Sequence, residues 1–189
     1  MTMQYLFCVV MIVTGALCAC KQSTGSEYKR LVKKELASNK RANDLFMGIR
    51  FGMTSKEFYA YCWEMNKKGL FTDGNNNTAV LYRMDTGFAH PVLMNFYPGF
   101  HEDRIADFSA TFAYEAWAPW NHPLSSDSLL PGILELYRKW LPGNDFLTMT
   151  DPHKGTIYIK VDGNRRIIIG RYDDQIVKVD YTDLLAAPH

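Results

Sequence analysis

The first residues that suggest chemistry lie in one short polar segment. His101, Glu102 and Asp103 are consecutive, and Asp107 follows four residues after Asp103. Imidazole and carboxylate groups bind zinc, but a zinc-binding helix needs a second histidine four residues after the first, and position 105 is isoleucine. A zinc site also takes three or four ligands. The segment therefore predicts no metal site, and the sequence predicts no cofactor.

Catalytic chemistry has no stronger candidates. Ser109 and Ser125 lie outside any Gly-X-Ser-X-Gly turn, and Cys62 is predicted to face a core rather than an electropositive cleft. Asp103, Asp107 and Glu115 are of the residue types that flank a scissile glycosidic bond and could in principle face each other across a cleft, but any α+β protein has such acids. We therefore predict a protein that is not an enzyme, with an exported glycan-acting enzyme or a carbohydrate-binding protein as the alternative.

Aromatic residues are the better candidates for binding. The proline-rich connection at residues 115–126 carries Trp117 and Trp120, and Tyr114 precedes it. An exposed Trp or Tyr side chain combines an apolar ring with a polar atom, so it can stack on a sugar or hold a peptide. We predict a binding site at these three residues for a protein or glycan partner. The competing interpretation is that both tryptophans fold back and close one end of the core.

A different chemistry is predicted near the N-terminus. Residues 6–17 form a run without charge, which is too short to cross a membrane as a helix but suits the apolar core of an export signal. The tetrapeptide Leu17-Cys18-Ala19-Cys20 that ends this stretch resembles the lipobox of bacterial lipoproteins. The resemblance implies a signal peptide at residues 1–19, cleavage after Ala19, and a lipid on the Cys20 sulfur that anchors the protein in the cell envelope, in the outer membrane. The alternatives are an ordinary cleaved signal or a buried apolar strand.

The charge distribution adds to this prediction. Between positions 21 and 43, seven basic residues stand against Glu27 and Glu35, whereas the whole chain has a formal net charge of only +1. The overall balance argues against nucleic acid as a partner. A local basic segment is drawn to anionic lipid head groups, although a solvated tether is the interpretation that the composition favours more. We predict a lipidated basic tether and helix over residues 20–43.

The predicted elements place these residues on an α+β domain at residues 44–189. A helix begins after Thr54, where Glu57 completes a capping box, and Gly69 ends it. Its apolar face is formed by residues at helical spacing, namely Phe58, Tyr61, Cys62 and Met65. Strands are expected to follow at 79–84, 91–97 and 105–114.

A second helix is predicted at about 128–141, with Pro131 in its first turn. Four strands are expected after it, at 146–150, 156–161, 165–172 and 175–181, and Asp162-Gly163-Asn164 predicts a hairpin turn. The order of a helix followed by antiparallel strands therefore occurs twice, with possible halves at 44–124 and 125–189. We expect the helices to pack on one face of the antiparallel sheet.

The segment IRFGMTSKEFYAY resembles the helix start of small outer-membrane lipoproteins of the SmpA/OmlA type. The resemblance covers these 13 residues and rests on Gly52, Met53, Thr54 and Phe58. It implies a helix-and-sheet architecture shared with β-lactamase-inhibitor-like modules, and a binding module without catalysis.

Overall fold

The structure is a computed structural model that describes residues 24–74, 78–153 and 155–186. Within these ranges the protein is α+β, with three α-helices and a large antiparallel sheet of eight strands. The predicted signal peptide and Cys20 lie outside the described residues. No helix in the described part of the chain is long and apolar enough to cross a membrane.

The elements have the following bounds. The helices are α1 (Thr24–Ala37), α2 (Ser55–Lys67) and α3 (Ser126–Trp140). The strands are β1 (Asp44–Phe46), β2 (Ile49–Arg50), β3 (Thr72–Asp73), β4 (Val80–Met84), β5 (Val92–His101), β6 (Arg104–Tyr114), β7 (Leu147–Asp151), β8 (Gly155–Asp162), β9 (Arg165–Arg171) and β10 (Val177–Asp183). The seven strands predicted from the sequence are confirmed with shifts of a few residues at their ends, whereas the short strands β1, β2 and β3 were not predicted.

The large sheet has the order β3-β4-β5-β6-β10-β9-β8-β7, while β1 and β2 form a small separate sheet. Each run of four consecutive strands is a meander, and the two runs meet where β6 pairs with β10. Phe112 lies opposite Val177 at this central pair, and Phe108 lies opposite Tyr181. Because β6 and β10 are the last strands of the two runs, their pairing brings residues 104–114 next to residues 177–183.

The main core lies between one face of this sheet and helices α2 and α3. Strand β6 alternates, so that Phe108, Ala110 and Phe112 are buried on this face. Helix α2 contributes Phe58, and α3 contributes Tyr137. Burial of these side chains is what fixes both helices on the sheet.

Helix α2 begins as the sequence predicts. The Glu57 backbone N–H donates to Thr54 Oγ1 at 3.2 Å, and Glu57 Oε2 accepts from the Thr54 backbone N–H at 2.7 Å. These two bonds form the predicted capping box. Cys62 packs against the core, and burial raises the pKa of its thiol to about 11, so the thiolate is scarce at neutral pH.

Helix α3 begins two residues earlier than predicted. Its first residue, Ser126, is fully buried, and its backbone N–H donates to the Asp174 carbonyl at 2.9 Å. This bond to the β9–β10 turn satisfies one of the free donors at the helix start. Pro131 consequently lies in the second turn of α3 rather than in the first.

Helix α1 packs on the opposite face of the sheet. Ile168 lies between the core residues Ile167 and Ile169, so its side chain points to the other face. A second cluster forms on that face from Ile168, Ile157, Ile159 and Val161 of the sheet with Tyr28, Leu31 and Val32 of α1. Helices therefore lie on both faces, which differs from the expected single face.

A polar contact also holds α1 on the domain. Glu35 is buried, and its Oε2 accepts from the Gly163 backbone N–H in the β8–β9 turn at 2.8 Å. Gly163 has φ +55°, and a Cβ there would lie 2.3 Å from the Lys40 carbonyl oxygen, so only glycine fits. Within the predicted tether and helix, residues 24–37 therefore form a helix that packs on the sheet.

Candidate functional site

The three predicted binding residues occupy different environments. Trp120 is 82% exposed, Trp117 is half-buried against the core, and Tyr114 is 7% exposed. The two tryptophans thus do not both close the core, because Trp120 points away from it. Tyr114 is a core residue in this structure and offers little surface to a ligand.

Trp117 forms one wall of a groove with a volume of about 410 Å³. The groove lies between the loop after β6 and the turn that joins β9 to β10. Its lining includes Pro119, Asn121 and His122 from the loop, and Asp174 and Gln175 from the turn. We call this site the Trp117 groove; Trp120 belongs to the same loop but does not line it.

Local hydrogen bonds fix the loop that forms this wall. The backbone N–H groups of Trp117, Asn121 and Leu124 donate to carbonyl oxygens three residues earlier, at 3.2, 2.8 and 2.9 Å respectively. These bonds are those of successive turns. The Leu124 side chain is buried and holds the end of the loop on the core. These bonds and the buried Leu124 side chain therefore give the loop that forms this wall a defined conformation.

Arg171, the last residue of β9, joins the start of α3 to the β9–β10 turn. Its Nη1 lies 2.7 Å from Asp127 Oδ1, and its Nη2 lies 3.0 Å from Asp174 Oδ1. Its Nε donates to Ser126 Oγ at 3.0 Å, and Ser126 Oγ donates to the Asp173 carbonyl at 2.6 Å. The Arg171 guanidinium thus connects the start of α3, where Asp127 lines the Trp117 groove, to the β9–β10 turn on the other side of the groove.

The polar groups of the groove fall into two classes. The Asp173 carboxylate is engaged in the turn, where its Oδ1 accepts from the backbone N–H groups of Gln175 at 2.8 Å and Ile176 at 2.7 Å. By contrast, the side chains of Asn121, His122 and Gln175 form no hydrogen bond with other described residues. The side chains of Asn121, His122 and Gln175 are therefore available to form hydrogen bonds with a ligand.

The carboxylates that were considered for catalysis lie elsewhere. Glu115 forms a salt bridge with Arg83 at 2.8 Å, and the hydrogen bond from Arg83 lowers the pKa of the Glu115 carboxyl. Asp103 accepts a hydrogen bond from Ser55 Oγ. Neither residue lines the Trp117 groove. Within the ranges that the structure describes, no three His, Cys, Asp or Glu side chains are grouped as metal ligands.

A second aromatic surface, which was not predicted, lies on the outer side of α2. Tyr59 and Trp63 are exposed there, and the Tyr59 hydroxyl lies 2.5 Å from the Tyr97 hydroxyl. This hydrogen bond raises the pKa of Tyr97 to about 12. Lys67 lies over the Trp63 ring, 5.5 Å from its centroid.

The residues that shape the Trp117 groove could be recognised only in part from the sequence. The sequence identified Trp117 and Trp120 as candidate binding residues, and Asp173-Asp174 was recognisable as a turn. Arg171 gave no signal, since its partner Asp127 lies 44 positions away. No family model, no curated protein and no solved structure is similar to this chain.

Proposed function

We propose that this protein is a lipid-anchored protein of the cell envelope, in the outer membrane, and that its folded part is a binding module rather than an enzyme. The lipobox residues Leu17 to Cys20 support the anchor. The Trp117 groove supports the binding role, and we propose it as the ligand site.

This proposal rests on one observation. An aromatic side chain lines the groove together with polar side chains that form no hydrogen bond with other described residues. Trp117 lines the groove together with Asn121, His122 and Gln175, and the bonds of Arg171 connect the start of α3 to the turn that lines the groove. A fixed site of this kind binds with little loss of conformational entropy. Its volume of about 410 Å³ is in the range of small-molecule sites.

A glycan is the ligand class that this chemistry favours. A sugar ring has an apolar face of C–H groups, which stacks on an indole, and hydroxyl groups around its edge. Amide and imidazole side chains both donate to and accept from hydroxyls. Asn121, His122 and Gln175 are of this type, so they suit the edge of a ring stacked on Trp117.

The carboxylates of the groove favour binding over hydrolysis. A glycosidase needs one carboxyl group as an acid and a second as a nucleophile or base. Asp127 and Asp174 are both paired with Arg171, and Asp173 is bonded within its turn. The alternative, a glycan-acting enzyme, predicts the release of shorter glycans on incubation, whereas our proposal predicts capture without cleavage.

The test uses the full protein, purified cell-wall sacculi and a panel of soluble oligosaccharides. We expect the wild-type protein to bind at least one of these, and the double variant His122→Ala/Gln175→Ala to bind about tenfold or more weakly, the equivalent of roughly 1.4 kcal/mol. Trp63→Ala, an exposed tryptophan on α2, is the matched control and should bind as the wild type does. Equal losses in both variants, or no binding by the wild type, would contradict the glycan site.

We also infer that the domain contains two copies of one unit, a helix followed by four strands. Helix α2 precedes β3 to β6, and α3 precedes β7 to β10. The meeting of the two runs at their last strands, β6 and β10, supports this inference. An alignment of residues 55–114 with 126–183 across many relatives should show shared core positions, and its failure would contradict a duplication.

A further inference from the structure

Helix α1 has two chemically distinct faces. One face packs on the sheet through Tyr28, Leu31 and Val32, and Glu35 is buried with them. The other face is exposed and carries four basic side chains, Lys29, Arg30, Lys33 and Lys34. We call these four residues the basic face of α1. Since positions i, i+1, i+4 and i+5 lie on one side of a helix, the four charges point the same way.

The basic face brings together four cations that have no acidic partner among the described residues. Lys67, Arg138 and Lys139 each form a salt bridge with a glutamate on their own helix. None of the four residues of the basic face forms a salt bridge with another described residue. Arg30 and Lys34 line a groove together with Glu27 and Asp145. These two acidic residues therefore lie beside the basic face.

The basic face is also held in place. Contacts with Ile157, Ile159 and Val161 and the bond from the Gly163 N–H to Glu35 hold α1 on the sheet. An array of like charges with fixed spacing and no partners costs free energy through mutual repulsion. That cost is offset when the array meets an anionic surface.

The chain before α1 places such a surface nearby. Three residues separate Cys20 from Thr24, and the four Cα–Cα steps between these two positions span at most about 14 Å when fully extended. If Cys20 carries the lipid, as in the proposed function on which this step rests, the start of α1 cannot leave the head-group region.

We propose that the basic face of α1 lies on the anionic head groups of the membrane that holds the lipid anchor. The contact orients the domain, because α1 covers one face of the sheet while α2 and α3 cover the other. The lipid chains provide the attachment, and the basic face adds an electrostatic contact with the head groups. The side of the domain that carries α2 and α3 is thereby turned away from the bilayer.

The test uses full-length protein with Cys20→Ala, so that no lipid contributes, in flotation with phosphatidylcholine vesicles that contain or lack phosphatidylglycerol. We expect binding to the anionic vesicles, loss of that binding at high salt, and weaker binding of Lys29→Gln/Arg30→Gln/Lys33→Gln/Lys34→Gln by roughly fivefold per removed charge. The uncleaved apolar N-terminal segment contributes equally to both proteins and both vesicle types.

Two further variants make the result decisive. The matched control Lys56→Gln/Lys67→Gln/Lys68→Gln/Lys139→Gln removes four exposed cations elsewhere and should keep most of the binding. Lys29→Arg/Lys33→Arg/Lys34→Arg keeps the charge and should bind as the parent does. Equal binding to both vesicle types, or equal losses from the α1 and control variants, would overturn the proposal. A failed anchor is distinguishable, because Cys20→Ala would then leave the partition of the protein in cells unchanged.

Discussion

The two ends of β9 carry arginines of the same chemistry in opposite environments. Arg165 begins the strand, with a side chain that is 5% exposed, and it lies 3.2 Å from Asp162. Arg171 ends the strand, with a side chain that is 37% exposed, and it pairs with Asp127 and Asp174. The first arginine belongs to the interior, whereas the second borders an open groove.

The partners of each arginine follow the same division. Asp162 is buried with Lys160, whose Nζ lies 3.1 Å from its Oδ2, and Asn144 donates its backbone N–H to Asp162 Oδ1 at 2.8 Å. Buried charges of this kind depend on every partner, because water cannot replace a missing one. The pairs of Arg171 are partly solvated, so they position side chains while adding little stability. The same ion-pair chemistry therefore serves stability at one end of β9, and at the other end it positions residues of the groove that we propose as a ligand site.

The largest effect on stability is expected from Asp162→Ala. This change leaves the buried Lys160 and Arg165 without their carboxylate, and breaking a buried ion pair costs about 3–5 kcal/mol. The melting temperature should fall by about 10 °C in calorimetry. Asp180→Ala is the control, since Asp180 pairs with Lys178 at a half-exposed site and should cost less than about 1 kcal/mol. Similar melting temperatures for both variants would remove the contrast between buried and open ion pairs.

A smaller effect with a defined pH dependence is expected at Glu35. The hydrogen bond from the Gly163 N–H holds the pKa of Glu35 below its ordinary value of 4.5. The folded state therefore favours the charged form, so its contribution is complete above about pH 4.5 and is lost as the pH falls through the lower folded pKa. Glu35→Gln should cost about 1 kcal/mol at neutral pH.

Chemical denaturation of the wild type and of Glu35→Gln, from neutral to acidic pH, measures this contribution. The difference in the free energy of unfolding between the two proteins should shrink on acidification. Glu64→Gln, on the exposed side of α2, serves as the surface control. A difference that is constant or grows toward acidic pH would mean that the Glu35 charge does not hold α1 on the domain.

The sequence revealed those features that depend on neighbouring residues. The capping box of α2 involves residues three positions apart, and the turn at Gly163 involves adjacent residues, so both were predictable. The docking of α1 was not predictable, because its apolar positions are sparse and the bond between Gly163 and Glu35 spans 128 positions. The sequence predicted a binding site at Tyr114, Trp117 and Trp120, of which only Trp117 lines the groove. The role of Arg171 was not predictable, because it depends on contacts between the end of β9 and the start of α3.

A small effect on stability and a large effect on binding are expected together at Arg171. Arg171→Gln removes half-exposed ion pairs, so the free energy of unfolding should fall by only about 1 kcal/mol. The two sides of the Trp117 groove lose their common partner, so the affinity for a captured oligosaccharide should fall about tenfold or more. Arg138→Gln removes an exposed pair on α3 and should change neither quantity.

Titration calorimetry of the wild-type protein and of Arg171→Gln, with an oligosaccharide captured by the wild type, measures whether Arg171 maintains a ligand site in the Trp117 groove. We expect tight binding by the wild type, a large loss of affinity in Arg171→Gln, and a nearly unchanged thermal melt. Equal affinity in the two proteins would contradict a ligand site held in shape by Arg171.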